Sequence, residues 1–123
     1  MGNQNSFSRS DRVRKALMRE VSDIIAREVK DPALQDQLIS VTDVELSNDL
    51  RHARVFISIL GNEEKQGEIL AILKEAQPQI RSMVGQRIRL RYTPEIDIRH
   101  DQSLERGTRV TSLLNQIARG EID

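Results

Sequence analysis

Pro78 is the residue that most limits what this chain can fold into. Ile69, Ile72, Leu73 and Ala76 recur at helical spacing before it, and Ile80, Met83, Val84 and Ile88 do so after it. A proline inside a helix cannot donate to the carbonyl four residues back, here that of Lys74, and its ring crowds that carbonyl. The pattern therefore predicts two helices joined by a kink at Ala76-Gln77-Pro78, with Pro78 opening the second. Strand patterns flank the pair. In His52–Leu60, Ala53, Val55, Ile57 and Ile59 alternate with Arg54, Phe56, Ser58 and Leu60, and apolar groups on both faces suit a central strand. Ile96 and Ile98 mark a further strand over Glu95–His100.

The remaining chain extends this unit. Val13, Ala16, Leu17, Val21, Ile24, Ile25 and Val29 predict an amphipathic helix, capped by Ser8 or Ser10 and ended by Asp31-Pro32. Ile39–Leu46 reads as a strand, joined through the turn Ser47-Asn48-Asp49 to His52–Leu60 as an antiparallel hairpin. Asn62 with Glu63 and Glu64 opens the second helix. Val110, Leu113, Leu114, Ile117 and Ala118 predict a last helix, which Gly120 ends. The order α-β-β-(α-kink-α)-β-α is an α+β layer, with helices packed on one face of a small three-stranded sheet. The expected organisation is a disordered tail over 1–9, one globular domain over 10–101 and a helical extension over 102–123. At 123 residues the chain can bury a core of its own.

Composition removes several function classes. Without cysteine there are no disulfides, thiol nucleophiles or thiolate metal sites. Phe7, Phe56 and Tyr92 are the only aromatics, which disfavours a function built on an aromatic stacking sheet. No apolar run reaches the roughly 20 residues of a membrane span. Residues 1–6 lack the pattern of a secretory signal and fit a myristoylation pattern only loosely, so the expectation is a cytoplasmic protein. No P-loop, nucleophile elbow or HExxH is present, and no enzyme is expected. His100 beside Asp97 and Asp101 suggests a metal, but in a strand residues 97 and 101 share one face and 100 points away. Neither metal nor cofactor is expected.

Charge is unevenly spread. The formal net charge is zero, from 19 basic and 19 acidic residues. Residues 1–30 carry seven basic and four acidic side chains, 31–75 four and nine, and 76–123 eight and six. From Ala76 to Pro94 there is no acid, while Arg81, Arg87, Arg89 and Arg91 fall within that stretch. Arginine grips phosphate with two parallel hydrogen bonds, which lysine cannot do. These four residues form either a phosphate-binding face or an ordinary solvated one. Arg87 and Arg91 can also bond free carbonyls at a helix end. Arg12, Lys15 and Arg19 line one side of the first helix, and Arg51 and Arg54 flank the hairpin. A solvated face, with Arg19 paired to Asp23, is the simpler reading of the first group.

A strand, two helices with an abrupt break, and a further strand form the core of a KH domain, which grips nucleic-acid backbone at a GxxG turn between those helices. This chain has no GxxG and carries Ala76-Gln77-Pro78 there. Together with Arg12-Val13, Glu28-Val29-Lys30-Asp31-Pro32, Val41-Thr42-Asp43-Val44-Glu45-Leu46-Ser47, Asp49-Leu50, Ala53-Arg54-Val55, Ile57-Ser58, Arg87-Ile88-Arg89-Leu90-Arg91, Thr93-Pro94-Glu95, Asp101 and Ser103, this resembles the ribosome-binding factor A family from about Ser10 to Arg119. The resemblance implies a type II KH-like fold in which an Ala-x-Gly kink replaces GxxG. Pro78 stands in place of that glycine and removes one backbone N–H. It implies a monomeric, non-catalytic factor that binds the immature small (30S) ribosomal subunit. Such a factor assists late 16S rRNA maturation and processing, above all in the cold, and is released with help from a GTPase. The expected RNA-binding residues are Ala76, Gln77, Pro78, Arg81, Arg87, Arg89, Arg91, Arg12, Lys15 and Arg19. The kink admits two readings, an approach point for RNA backbone or a packing feature. Rival functions are a protein–protein adapter using the acidic block and a dimeric helix-turn-helix binder of duplex DNA.

Overall fold

The computed structural model describes residues 9–101. Helix α1 spans Arg9–Arg27, and a single 3-10 turn follows at Pro32–Leu34. Strands β1 (Ile39–Leu46) and β2 (His52–Ile59) form a hairpin. Helices α2 (Glu63–Glu75) and α3 (Gln77–Arg87) meet at Ala76, and β3 (Glu95–His100) closes the order. The sheet order is β1-β2-β3, antiparallel between β1 and β2 and parallel between β2 and β3. The α+β class, the central β2 and the helix–kink–helix unit between β2 and β3 are as the sequence predicts. The helix expected over 110–118 lies outside the described residues.

Helix α1 ends earlier than Asp31-Pro32. The N–H groups of Glu28 and Val29 both donate to the carbonyl of Ile24, at 2.8 and 3.2 Å, which widens and stops the last turn. Asp31 caps the next turn instead, its carboxylate accepting from the Ala33 N–H at 2.9 Å. Strand β1 holds a bulge. Val41 pairs with Ile57 and Val44 with Val55, so Thr42 is the extra residue. The bulge lets Val41 and Val44, three apart, both face the helices. The Thr42 hydroxyl sits 2.6 Å from an Asp101 carboxylate oxygen and 3.2 Å from the Phe56 carbonyl, which ties the bulge to the end of β3.

Leu17, Val21 and Ile24 of α1, Ile69 and Leu73 of α2, and Ile80 and Val84 of α3 are fully buried against Val44, Val55, Ile57 and Ile98 of the sheet. Helix α1 covers β1 and packs along α3, while α2 and α3 lie on β3. The opposite sheet face is lined with ions. Glu45, Arg54 and Asp97 are successive register partners across the three strands, with Glu45–Arg54 at 3.7 Å and Asp97 held by Arg99 at 2.8 Å and Lys74 at 3.7 Å.

Candidate nucleic-acid interface

The kink holds the site's elements in place. Ala76 closes α2, its N–H donating to the carbonyls of Ile72 and Leu73, and its own carbonyl accepts from Ile80 N–H at 2.9 Å. Gln77 is the first residue of α3 and Pro78 the second, one position later than the sequence reading puts the proline. The Gln77 side-chain oxygen accepts the Ile98 N–H at 2.8 Å, so it bonds the free edge of β3. The Gln79 amide donates to the carbonyl of Glu28 at 3.3 Å and ties the start of α3 to the end of α1.

Pro78, Arg81, Ser82 and Gly85 stand at positions i, i+3, i+4 and i+7 of α3, a single exposed stripe. The segment after α3 returns beside it. Arg91, Tyr92 and Thr93 form the other wall of a shallow groove whose floor is that stripe. Two contacts hold the walls together. Arg81 donates to the carbonyl of Thr93 at 2.9 Å and to that of Pro94 at 3.3 Å. Gly85 lies so close to Thr93 that a Cβ built on it meets Thr93 Oγ1 at 2.9 Å. Tyr92 remains exposed, and the Arg51 guanidinium sits 4.4 Å from its ring centroid. Arg51 is itself held in place. Its N–H lies 3.2 Å from Ser47 Oγ and 3.1 Å from an Asp49 carboxylate oxygen, and its carbonyl accepts the Glu95 N–H at 2.8 Å. The Ser47 hydroxyl and the Arg51 N–H hold the Asp49 carboxyl below its ordinary pKa.

The arginines of the acid-free stretch thus have different partners. Arg87 turns to α1, with Asp23 at 2.6 Å, Glu20 at 3.3 Å and Glu28 at 3.6 Å. Its hydrogen bond, more than the charge of Arg27, lowers the Asp23 carboxyl from the ordinary carboxylate value, and in return the guanidinium is raised. The sequence leaves open that Arg87 and Arg91 bond helix-end carbonyls, but it is Arg81 that bonds carbonyls and Arg87 that bonds acids. Arg89 and Arg91 are exposed and carry neither a hydrogen bond nor an ion pair among the described residues. Arg12 is likewise exposed on α1, as is Lys15. Arg19 pairs with Glu20 at 3.2 Å rather than with Asp23, whose partners are Arg27 and Arg87. Arg54 pairs with Glu45 on the sheet face away from the helices.

The groove's lining holds no acid, which sets it apart from two other hollows of the described surface. The hollow at the end of α1 is lined by Asp31 and Asp36 along with Arg27 and Lys30, and the one over β2 and β3 by Glu95 and Asp97 along with Arg54 and Arg99. Beyond the expected residues it brings in Ser82, Gly85, Tyr92 and Thr93. The i, i+3, i+4, i+7 stripe was the sequence signal that could have found the first two. Among the described residues, no three His, Asp or Glu side chains converge as metal ligands, and no helix is long and apolar enough to cross a membrane.

The sequence and the overall fold both have known relatives. The family model described as Ribosome-binding factor A matches residues 9–114. The Ribosome-binding factor A of Halothermothrix orenii is 49% identical over 113 residues, covering 92% of this chain and 91% of its own. That of Acetivibrio thermocellus is 46% identical over 110 residues, covering 89% of each chain. A Thermotoga maritima protein solved by solution NMR superposes with a TM-score of 0.66 at 29% identity, over 75% of this chain and 86% of that one. The Thermus thermophilus ribosome binding factor A, as fitted into a cryo-EM map of a 30S complex, superposes with a TM-score of 0.57 at 25% identity, over 71% of this chain and 89% of that one. With residues 9–114 matched by the family model and relatives nearly half identical over most of the length, the chain belongs to the ribosome-binding factor A family.

Proposed function

We propose that this chain is a non-catalytic ribosome biogenesis factor that binds the immature small (30S) subunit and assists late maturation and processing of 16S rRNA. The groove of α3 meets the RNA backbone. It acts by differential affinity: a factor that binds a precursor conformation better than the mature one shifts the population toward the form that can be processed. The acid-free groove carries this reading, with Arg91 and neighbouring Arg89 unengaged among the described residues beside it. The complex named for the Thermus thermophilus relative supports the same target. Arg81 offers phosphate those N–H groups that Thr93 and Pro94 leave unused. Arg12, Lys15 and Arg19 widen the footprint along α1. Ala76, Gln77 and Pro78 shape the groove's end, with Gln77 acting through its bond to β3. Arg87 contributes by fixing α3 to α1. The factor acts as a cytoplasmic monomer, matters most in the cold and leaves with the help of a GTPase. The unit over 9–101, one residue longer than the sequence suggests because α1 begins at Arg9, carries the binding, flanked by a tail over 1–8 and an extension over 102–123.

Co-sedimentation with mature and precursor-enriched small subunits across a salt series tests this. Wild type should favour precursors. An Arg89→Glu/Arg91→Glu variant should lose that binding and flatten the salt dependence by roughly one unit of slope per phosphate contact removed. Equal binding of both proteins would move the RNA face off α3. Absence of wild-type binding at low salt would end the assembly-factor reading.

A further inference from the structure

We infer that Tyr92, backed by Arg51, is a stacking platform for one unpaired nucleobase, so that the RNA received by the α3 groove is single-stranded there. This rests on the RNA reading above and specifies its substrate. Three large apolar side chains are strongly exposed among the described residues: Leu38, Leu60 and Tyr92. The two leucines neighbour each other where the Leu60 N–H meets the Leu38 carbonyl at 3.1 Å, at the end of the hairpin away from its turn. Tyr92 instead lines the groove with Pro78, Arg81, Ser82, Gly85 and Arg91, and 53% of it is exposed.

The surroundings of the ring suit a base more than a protein side chain. Arg51 lies over it at 4.4 Å, a cation–π contact that fixes the ring's orientation. Arg51 is anchored through its backbone to Ser47, Asp49 and Glu95, so the pair is preorganised. Gly85 keeps the floor beside it low. Arg91 precedes the ring in sequence and has no partner among the described residues, so it can meet the phosphate of a nucleotide whose base lies on Tyr92. Every nucleobase has a π-face, but a base inside a duplex has both faces covered by its neighbours. The platform therefore selects strands with unpaired bases. The scarcity of aromatics argues against a stacking sheet and leaves room for one such position.

The chain has one tyrosine and no tryptophan, so its tyrosine emission reports Tyr92 alone. The full-length protein is titrated at low salt with a dye-labelled, single-stranded oligoadenylate and with duplex RNA of equal length, reading tyrosine emission and dye anisotropy. The single strand should bind and quench the emission, and the duplex should not quench it. Tyr92→Ala should weaken binding about tenfold, while Tyr92→Phe keeps it within about twofold, as expected for one stacked base. Tyr92 is outside the core, so the Ala variant retains the fold, which circular dichroism checks. Binding that Arg91→Glu weakens, but that leaves the emission unchanged and Tyr92→Ala unaffected, overturns stacking and keeps the RNA reading. Failure of wild type to bind either the oligonucleotide or small subunits removes both.

Discussion

Replacing Gly85 with alanine tests whether close approach of α3 to the Thr93 segment shapes the groove. Alanine in a helix is favoured over glycine by up to about 1 kcal/mol. The new Cβ, however, would stand 2.9 Å from Thr93 Oγ1, with Thr93 Cγ2 at 3.6 Å and Cβ at 3.7 Å behind it. Threonine is stiff at χ1, so it yields by leaving its preferred rotamer or by moving the segment, at about 1–3 kcal/mol for an overpacked contact. The two terms oppose each other and leave a net loss of about 0–2 kcal/mol, so the single variant alone does not separate them. In a Thr93→Ala background the obstructing atoms are absent and the helix gain should appear undiminished. The coupling between the two positions is therefore expected at about 1 kcal/mol or more. Urea unfolding of the four proteins by circular dichroism measures it, provided the slopes agree so that midpoints report stability. For a domain of this size, 1 kcal/mol also moves the melting temperature by roughly 4–8 °C. If Gly85→Ala stabilises both backgrounds equally, the close approach is not what requires glycine, and the groove's width has another cause.

Gln77→Ala leaves the Ile98 N–H without its 2.8 Å acceptor, so the variant should lose about 1 kcal/mol and its Ile98 amide should exchange faster; unchanged exchange at Ile98 would mean the bond does not hold the kink to β3. Asp23 is held below the ordinary carboxylate range by its hydrogen bond to Arg87, so its unfolded form binds the proton first as pH falls. Its pairing thus stabilises the fold above the unfolded carboxylate's pKa and is lost as pH drops through the lower folded one. Asp23→Asn should therefore flatten the acid limb of stability, read as urea midpoints between about pH 3 and pH 5, and parallel curves for variant and wild type would rule this out.

Much of the fold is legible because local rules and packing agree. β1 and β3 match the expected ranges, and α2 and α3 divide where Pro78 forbids a continuous helix. The failures lie where tertiary bonds overrule local signals. Asp31-Pro32 looks like the end of α1, yet Glu28 and Val29 already share the Ile24 carbonyl. Val41, Val44 and Leu46 do not alternate, and only pairing with β2 reveals that Thr42 is an added residue that brings them to one face. Leu50 adopts a φ of 60° at the turn before β2, a conformation that glycine or asparagine would advertise and leucine does not.

The candidate site was less legible, because a sequence counts charges without saying how each is engaged. Arg87 and Arg91 look equivalent in the stretch Arg87–Arg91. One meets three carboxylates and the other meets none among the described residues. The difference arises from α1 and the turn that ends it, which place Glu20, Asp23 and Glu28 along the side that receives α3. Those acids engage the arginine nearest the helix end, and the sheet's outer face balances Arg54 and Arg99 against Glu45 and Asp97. The result is a neutral protein in which Arg91 stays unengaged among the described residues, beside a groove whose lining holds no acid. That distribution supports selectivity as well as affinity: a uniformly basic surface would bind any RNA, whereas pairing Arg54, Arg87 and Arg99 with acids narrows the approaches open to phosphate and keeps the one beside the exposed ring of Tyr92.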